Sequence, residues 1–170
     1  MKTAAKWGAI LGVVVIVWTL ILHMLGFYTT KIAAGQVADQ VASVLPIIVI
    51  VLALRERRKL VGRGLRVVES LQTGAVLGLT SVPITAGFFW IYHHVINPEW
   101  MALIIAWKSA AMTARGATPE AITAATTQLS ASSTDSAQIL GALIGTLVFS
   151  VLIALIAGLF FRRPTVDVKT

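Results

Sequence analysis

The chain has 170 residues, 57% of them hydrophobic and only 12% charged, with a net charge of +7. Ordinary soluble domains carry roughly 25% charged residues, so a water-soluble globule of this size is excluded. The positive residues sit in short segments beside apolar runs rather than along one soluble face, so orientation in the membrane explains them better than a nucleic-acid-binding surface.

The first apolar block covers residues 7–28, interrupted by Thr19 and His23. A helix of that length spans about 33 Å, enough for a hydrocarbon core of about 30 Å. The segment before it resembles the basic start of a signal peptide, and Ile32-Ala33-Ala34 resembles a cleavage site. The apolar run is too long for a signal core, so it reads as a permanent span. The second block, residues 37–54, begins with Asp39 and Gln40, contains Pro46 and stops at Arg55-Glu56-Arg57-Arg58-Lys59. The third, residues 71–96, contains Ser81, Pro83 and Gly87. Pro83 cannot donate to the Leu79 carbonyl, which predicts a kink. A long loop, residues 97–136, follows. Within it Trp100, Leu103, Ile104 and Trp107 form one apolar stripe, interrupted by Lys108, as in a helix lying at the membrane interface. Thr118-Pro119-Glu120 predicts a second helix start, and the small polar stretch from Thr126 to Ser136 reads as a solvated linker. The fourth block, residues 137–161, ends at Arg162-Arg163-Pro164. The expected fold is all-α: a single domain over residues 1–170, an integral membrane four-helix bundle with an extra interfacial amphipathic helix in its third loop.

Lysine and arginine placement orients the bundle. Eleven of these residues fall at one end: Lys2 and Lys6, then Arg55, Arg57, Arg58, Lys59, Arg63 and Arg66, then Arg162, Arg163 and Lys169. Three, Lys31, Lys108 and Arg115, fall at the other. Both termini are therefore expected in the cytoplasm, with the protein in the inner (cytoplasmic) membrane.

Three near-identical pentads begin and end in glycine, at Gly8 and Gly12, Gly74 and Gly78, and Gly141 and Gly145, and Ala154 with Gly158 adds a small pair. Glycines four apart leave a flat strip on which another helix can pack closely. The expectation is internal packing of the first, third and fourth spans, with contact to a neighbouring subunit as the alternative. His23, His93 and His94 lie at one depth, where axial ligation of a tetrapyrrole or metal is conceivable. Nearby Trp90, Tyr92 and Trp100 equally suit an interfacial aromatic belt, so no cofactor and no metal is expected. Asp39 is the one acid close to a span, a position from which a proton or ion role can be argued. The run Arg55, Arg57, Arg58, Lys59, Arg63 and Arg66 serves as a topology anchor and a contact for anionic lipid heads.

Serine and threonine are plentiful, but no G-x-S-x-G, H-E-x-x-H or P-loop pattern accompanies them, and absent cysteine removes thiol nucleophiles, cysteine-ligated metals and disulfides. The chain therefore reads as non-catalytic.

Pro46-Ile47-Ile48-Val49-Ile50 running into Arg55-Glu56-Arg57-Arg58, Leu71-Gln72-Thr73-Gly74 opening a span, and Ile96-Asn97-Pro98-Glu99-Trp100 closing it look like one family, in which a glycine-rich first span, a basic second-to-third loop, an asparagine-proline-acid turn and an interfacial helix before the last span recur in this order. The chain resembles that uncharacterised bacterial four-transmembrane-helix family, catalogued only as a domain of unknown function. The resemblance implies the topology and no activity. The functional expectation is an accessory or structural subunit of a larger membrane assembly, respiratory or photosynthetic, with membrane lipids and other membrane subunits as partners and no nucleic acid. One alternative is a small permease or ion-handling protein in which Asp39, the Pro83 kink and the histidines form a polar cavity near the outer face. Another is a lipid-binding membrane regulator that uses the basic loop.

Overall fold

The computed structural model describes residues 2–162 and, at Asp135, the backbone alone; Arg163 and Lys169 of the charge count lie outside this range. Seven α-helices and one π-helical turn make up the described residues, with no strand among them: α1 (Lys2–Met24), α2 (Ile32–Ala42), α3 (Val44–Val61), α4 (Val67–Ile91), the π turn (Tyr92–Ile96), α5 (Trp100–Ala114), α6 (Pro119–Ser132) and α7 (Asp135–Phe160). Four stretches are long and apolar enough to cross a membrane: Lys2–Met24, Ile32–Val61, Val67–Ile96 and Ser136–Phe160. The protein is a helical membrane bundle.

The boundaries differ from the sequence reading where local chemistry overrides hydropathy. The first span ends at Met24, not residue 28. Gly26 adopts φ 79°, and the Gly26 and Phe27 amides donate back to His23 and Leu22, the hydrogen-bond pattern of a Schellman stop. The second span begins earlier and consists of two helices. Pro46 has no amide proton for the Ala42 carbonyl, and the chain breaks at Ser43, whose hydroxyl donates to the Gln40 carbonyl (2.6 Å). Its basic end is also not a loop. Arg55 to Lys59 continue α3 to Val61, because arginine, glutamate and lysine are good helix formers outside lipid as well as at its edge. The third span starts at Val67 and runs through Pro83 as one helix, ending in the π turn. The third loop holds two helices, α5 and α6. Most of the stretch expected to be a linker is helical, since α6 extends to Ser132. Thr118 caps α6 by accepting from the Ala121 amide (3.4 Å).

α4 is central, packed against α1 on one side and α7 on the other, while α3 closes the bundle against both. The fully buried residues Ile50, Ala53, Leu54, Leu77 and Ala154, with Leu11 and Leu65, all lie in the half that carries the basic residues. Here the small residues bring backbones together. A Cβ on Gly74 would sit 2.6 Å from both the Ala154 Cβ and the Ser150 carbonyl oxygen, and one on Gly8 2.5 Å from the Leu77 carbonyl oxygen. A Cβ on Gly158 would overlap the Ser70 hydroxyl, and one on Gly12 would lie 2.8 Å from Ile84. Gly78 is less confined, with Ser150 and Leu147 at 3.3 to 3.4 Å. Since lipid is as apolar as leucine, such close approach holds helices together through dispersion.

The third pentad departs from the expectation of internal packing. Nothing lies within 4 Å of a Cβ placed on Gly141 or Gly145, because the first half of α7 stands away from the rest of the chain. Only 11% of the most apolar stretch of α7 is buried, against 28% for α1. The basic end is further tied by Lys6 Nζ to Glu56 (2.7 Å), by the Trp7 indole donating to the same carboxylate (2.7 Å), and by the Leu65 amide donating to the Phe161 carbonyl (3.0 Å).

Candidate functional site

At the end opposite the basic residues the helices separate. The Schellman turn after α1 places Tyr28 beneath α2, and Gly35 on α2 approaches so closely that a Cβ there would overlap the Phe27 carbonyl. That contact brings Asp39, one turn further along α2, to the Tyr28 hydroxyl, which donates to its carboxylate. Loss of water, and then the bond to Asp39, push the Tyr28 phenol far above its ordinary range; Tyr28 is a fixed donor at any physiological pH.

The π turn does the equivalent work on α4. The Asn97 amide closes it by donating to the Tyr92 carbonyl (2.7 Å). The buried Asn97 side chain then donates to the Tyr28 carbonyl (3.3 Å) and the Tyr92 hydroxyl (3.4 Å). Tyr92 is buried, and its hydroxyl lies 2.9 Å from Nδ1 of His23. One network therefore runs from α1 through Tyr92 and Asn97 to the turn before α2, and from Tyr28 on to Asp39. Wider turns of this kind recur at functional sites because they re-aim the side chains that follow.

This network borders a cavity of about 300 Å³ between α1, α2, α4 and α5. Trp18, Tyr28, Phe89, Tyr92 and Trp100 supply aromatic walls, Thr19, Gln36, Asp39 and the candidate residue His93 polar ones, and Val15, Ala42, Leu45 and Ile104 the aliphatic remainder. Two further spaces adjoin it. One of about 470 Å³ lies between α4, α5 and α7 and is bordered by Gln138 and Gly141; the other, about 390 Å³, lies deeper and is bordered by Ser81, Thr85, Gly145 and Thr146. Phe89 borders all three, while His93 and Trp100 are shared by the first two and Val15 by the first and the deepest.

The three candidate histidines occur at this end, each against an aromatic ring. His23 meets Tyr92 edge-on at 5.5 Å, His93 stacks on Trp100 at 4.1 Å and His94 stacks on Trp90 at 4.8 Å. His94 also donates through Nδ1 to the Trp90 carbonyl (2.8 Å). No group of three or more His, Cys, Asp or Glu side chains gathers as a metal site among the described residues. Tyr28 and Gln36 were not singled out by sequence reasoning, and Asn97 only as part of the segment that closes the third span. Tyr28 and Asn97 are 69 residues apart, and no local pattern links them.

The basic residues divide by role. Arg63 is held by Glu69 in a two-pronged pair (2.6 and 2.9 Å), whose carboxylate also accepts the Arg66 amide (2.8 Å) and caps α4. Arg55, Arg58 and Lys59 face an open cleft of about 440 Å³ that also includes Arg63 and Phe161, with the Arg58 guanidinium 6.0 Å from the Phe161 ring centre.

Fold and site thus define a helical membrane protein with a packed basic end and a cavity at its aromatic end. The chain belongs to the family of proteins of unknown function DUF4199, whose family model matches residues 6–163. No curated protein and no solved structure matches it.

Proposed function

We propose that the protein binds a small ligand in the aromatic-end cavity, as a small permease or ion-handling protein must before it releases its cargo. The observation that carries this reading is a span carboxylate, Asp39, which unlike Glu56 and Glu69 has no basic partner among the ion pairs of the described residues and lies at a mostly apolar cavity of about 300 Å³. That volume is at the small end of the range used by small-molecule sites, and a carboxylate within a span is a functional flag. With the basic residues on the cytoplasmic side of a bacterial inner membrane, the cavity opens toward the outer face. The anionic lipid heads of the inner leaflet then lie against Arg55, Arg58 and Lys59.

Thermal unfolding of the protein in lipid nanodiscs tests the binding reading, because a ligand that binds only the folded state raises the melting temperature. Among small cations, anions and neutral molecules, at least one class should stabilise the wild type. The effect should vanish in Leu45→Trp, which fills the cavity. If no compound distinguishes the two proteins, the reading is wrong. Orientation is tested separately. In intact cells an impermeant thiol reagent should label Ser132→Cys and spare Lys59→Cys; the reverse pattern overturns the assignment.

A second reading, an accessory subunit of a larger assembly, is favoured by α7. Its first half presents Gly141 and Gly145 bare, a strip suited to a helix from another chain. Co-purification in mild detergent that is lost in Gly141→Leu/Gly145→Leu would support it.

A further inference from the structure

We infer that the aromatic-end cavity is selective for a small organic cation, an ammonium group carried on an apolar body. The inference rests on the binding reading above and adds the chemical class of the ligand.

Charge is the first argument. The ionisable groups of the cavity lining are the Asp39 carboxylate, the Tyr28 and Tyr92 phenols and the His93 imidazole, which is stacked on Trp100; there is no lysine or arginine. The ion pairs among the described residues are Lys6–Glu56 and Arg63–Glu69, both at the opposite end. Lys31, the basic residue nearest to Asp39 in sequence, has its ammonium 5.9 Å from the centre of the Phe27 ring. Asp39 receives a hydrogen bond from the neutral Tyr28 hydroxyl, which orients the carboxylate without cancelling its charge. An ionised carboxylate at the edge of lipid is costly until a counter-charge reaches it.

The walls decide which counter-charge. Trp18, Tyr28, Phe89, Tyr92 and Trp100 border the same space, and aromatic faces attract desolvated cations through their quadrupole. A metal ion is poorly served. Calcium takes six to eight oxygen ligands and magnesium a near-ideal octahedron, whereas the described residues bring no three acidic or histidine side chains together. The volume of about 300 Å³ also far exceeds one bare ion, and Val15, Ala42, Leu45 and Ile104 offer aliphatic contact to an apolar body. One carboxylate, several aromatic rings and an aliphatic remainder form the combination that recognises alkylammonium groups.

The test compares choline with 3,3-dimethylbutan-1-ol, which replaces the quaternary nitrogen by carbon and keeps the shape. Binding is read by tryptophan fluorescence and calorimetry on the full chain in zwitterionic nanodiscs. Choline should bind at least tenfold tighter than the alcohol. Asp39→Asn should remove that preference and leave the alcohol's affinity unchanged, while Asp39→Glu should retain most of it. Asp39→Glu also keeps the comparison decisive if the asparagine variant does not fold. Equal binding of choline and the alcohol in the wild type would overturn the cation assignment and leave the binding reading intact. Displacement of choline by millimolar calcium would overturn it in favour of a metal site. Failure of both probes to bind would overturn it as well; the binding reading would then fall only if the wider screen against Leu45→Trp also found no ligand.

Discussion

The two ends of the bundle are built from similar residues and packed in opposite ways. In the basic half, Gly8, Gly74 and Gly158 each lie against a backbone carbonyl or a serine of the next helix, and Leu54, Leu77 and Ala154 are fully enclosed. In the aromatic half, Gly141 and Gly145 repeat the same spacing yet face open space, and the side chains are held by a polar network instead. The difference shows that a small-residue strip creates the opportunity for close packing, and the neighbour decides whether it is used. A membrane protein that closes one end through dispersion contacts can leave the other end open to a ligand without losing the fold.

The largest effect that separates the halves should come from bulk placed on the two kinds of glycine. Gly74→Leu forces a side chain between α4 and α7 where even a Cβ is 2.6 Å from its neighbours, and is expected to abolish the monodisperse folded protein in detergent chromatography. Gly145→Leu should leave the elution profile and melting temperature unchanged. Equal damage from both would mean that the open face of α7 is covered by another chain, which favours the accessory-subunit reading. Gly78 lies between these cases. Its neighbours need to give by only a few tenths of an ångström, so Gly78→Ala should be tolerated and Gly78→Leu should not.

The next effect belongs to the network. Asn97 is buried, and its amide joins the π turn to the segment before α2. Asn97→Ala leaves the Tyr28 carbonyl without this donor, at a cost of about 1–3 kcal/mol for such a buried group. A clear drop in melting temperature should follow, with weaker ligand stabilisation. An unchanged melting temperature would mean that this end is not organised by the network. Phe89→Ala should act more mildly on stability and more strongly on selectivity, since its ring borders all three spaces. Larger ligands should then stabilise the variant better than the wild type. The smallest effect is expected at the surface pair Lys6–Glu56, where exposure and salt screening leave little net stabilisation. Lys6→Ala should hardly shift the melting temperature, and a large shift would show that the basic end depends on charge rather than close packing.

The four spans were legible because about twenty apolar residues in a row have few other uses. Their ends were not, because hydropathy marks where lipid is and not where a helix stops. The Gly26 stop lies inside an apolar run, and α3 passes through the charged segment from Arg55 to Lys59 without a break. The glycine pentads were visible as motifs, but nothing in the sequence indicates that Gly74 meets Ala154 while Gly141 meets nothing. Asp39 was legible as the isolated acid near a span. Its partner Tyr28 was not, since it is placed by the α1 stop and by Gly35 rather than by any spacing around Asp39. Tyr92 was read as a belt residue and Asn97 as part of the segment that closes a span, and only the folded chain brings Asn97 to Tyr28 across 69 positions of sequence.

Because the chain contains no cysteine, one matched pair of substitutions tests the contrast between the ends directly. Thr19 and Thr73 are nearly equally buried, at 5% and 3% exposure, but Thr19 borders the aromatic-end cavity and Thr73 lies in the packed basic half. Each is replaced by cysteine, a change of similar volume, and reacted in nanodiscs with a small water-soluble methanethiosulfonate. Thr19→Cys should be modified rapidly, with protection by a cavity ligand, while Thr73→Cys stays unmodified over the same period. Equal rates at the two positions, or faster reaction at Thr73→Cys, would contradict the account of a bundle closed at one end and open at the other.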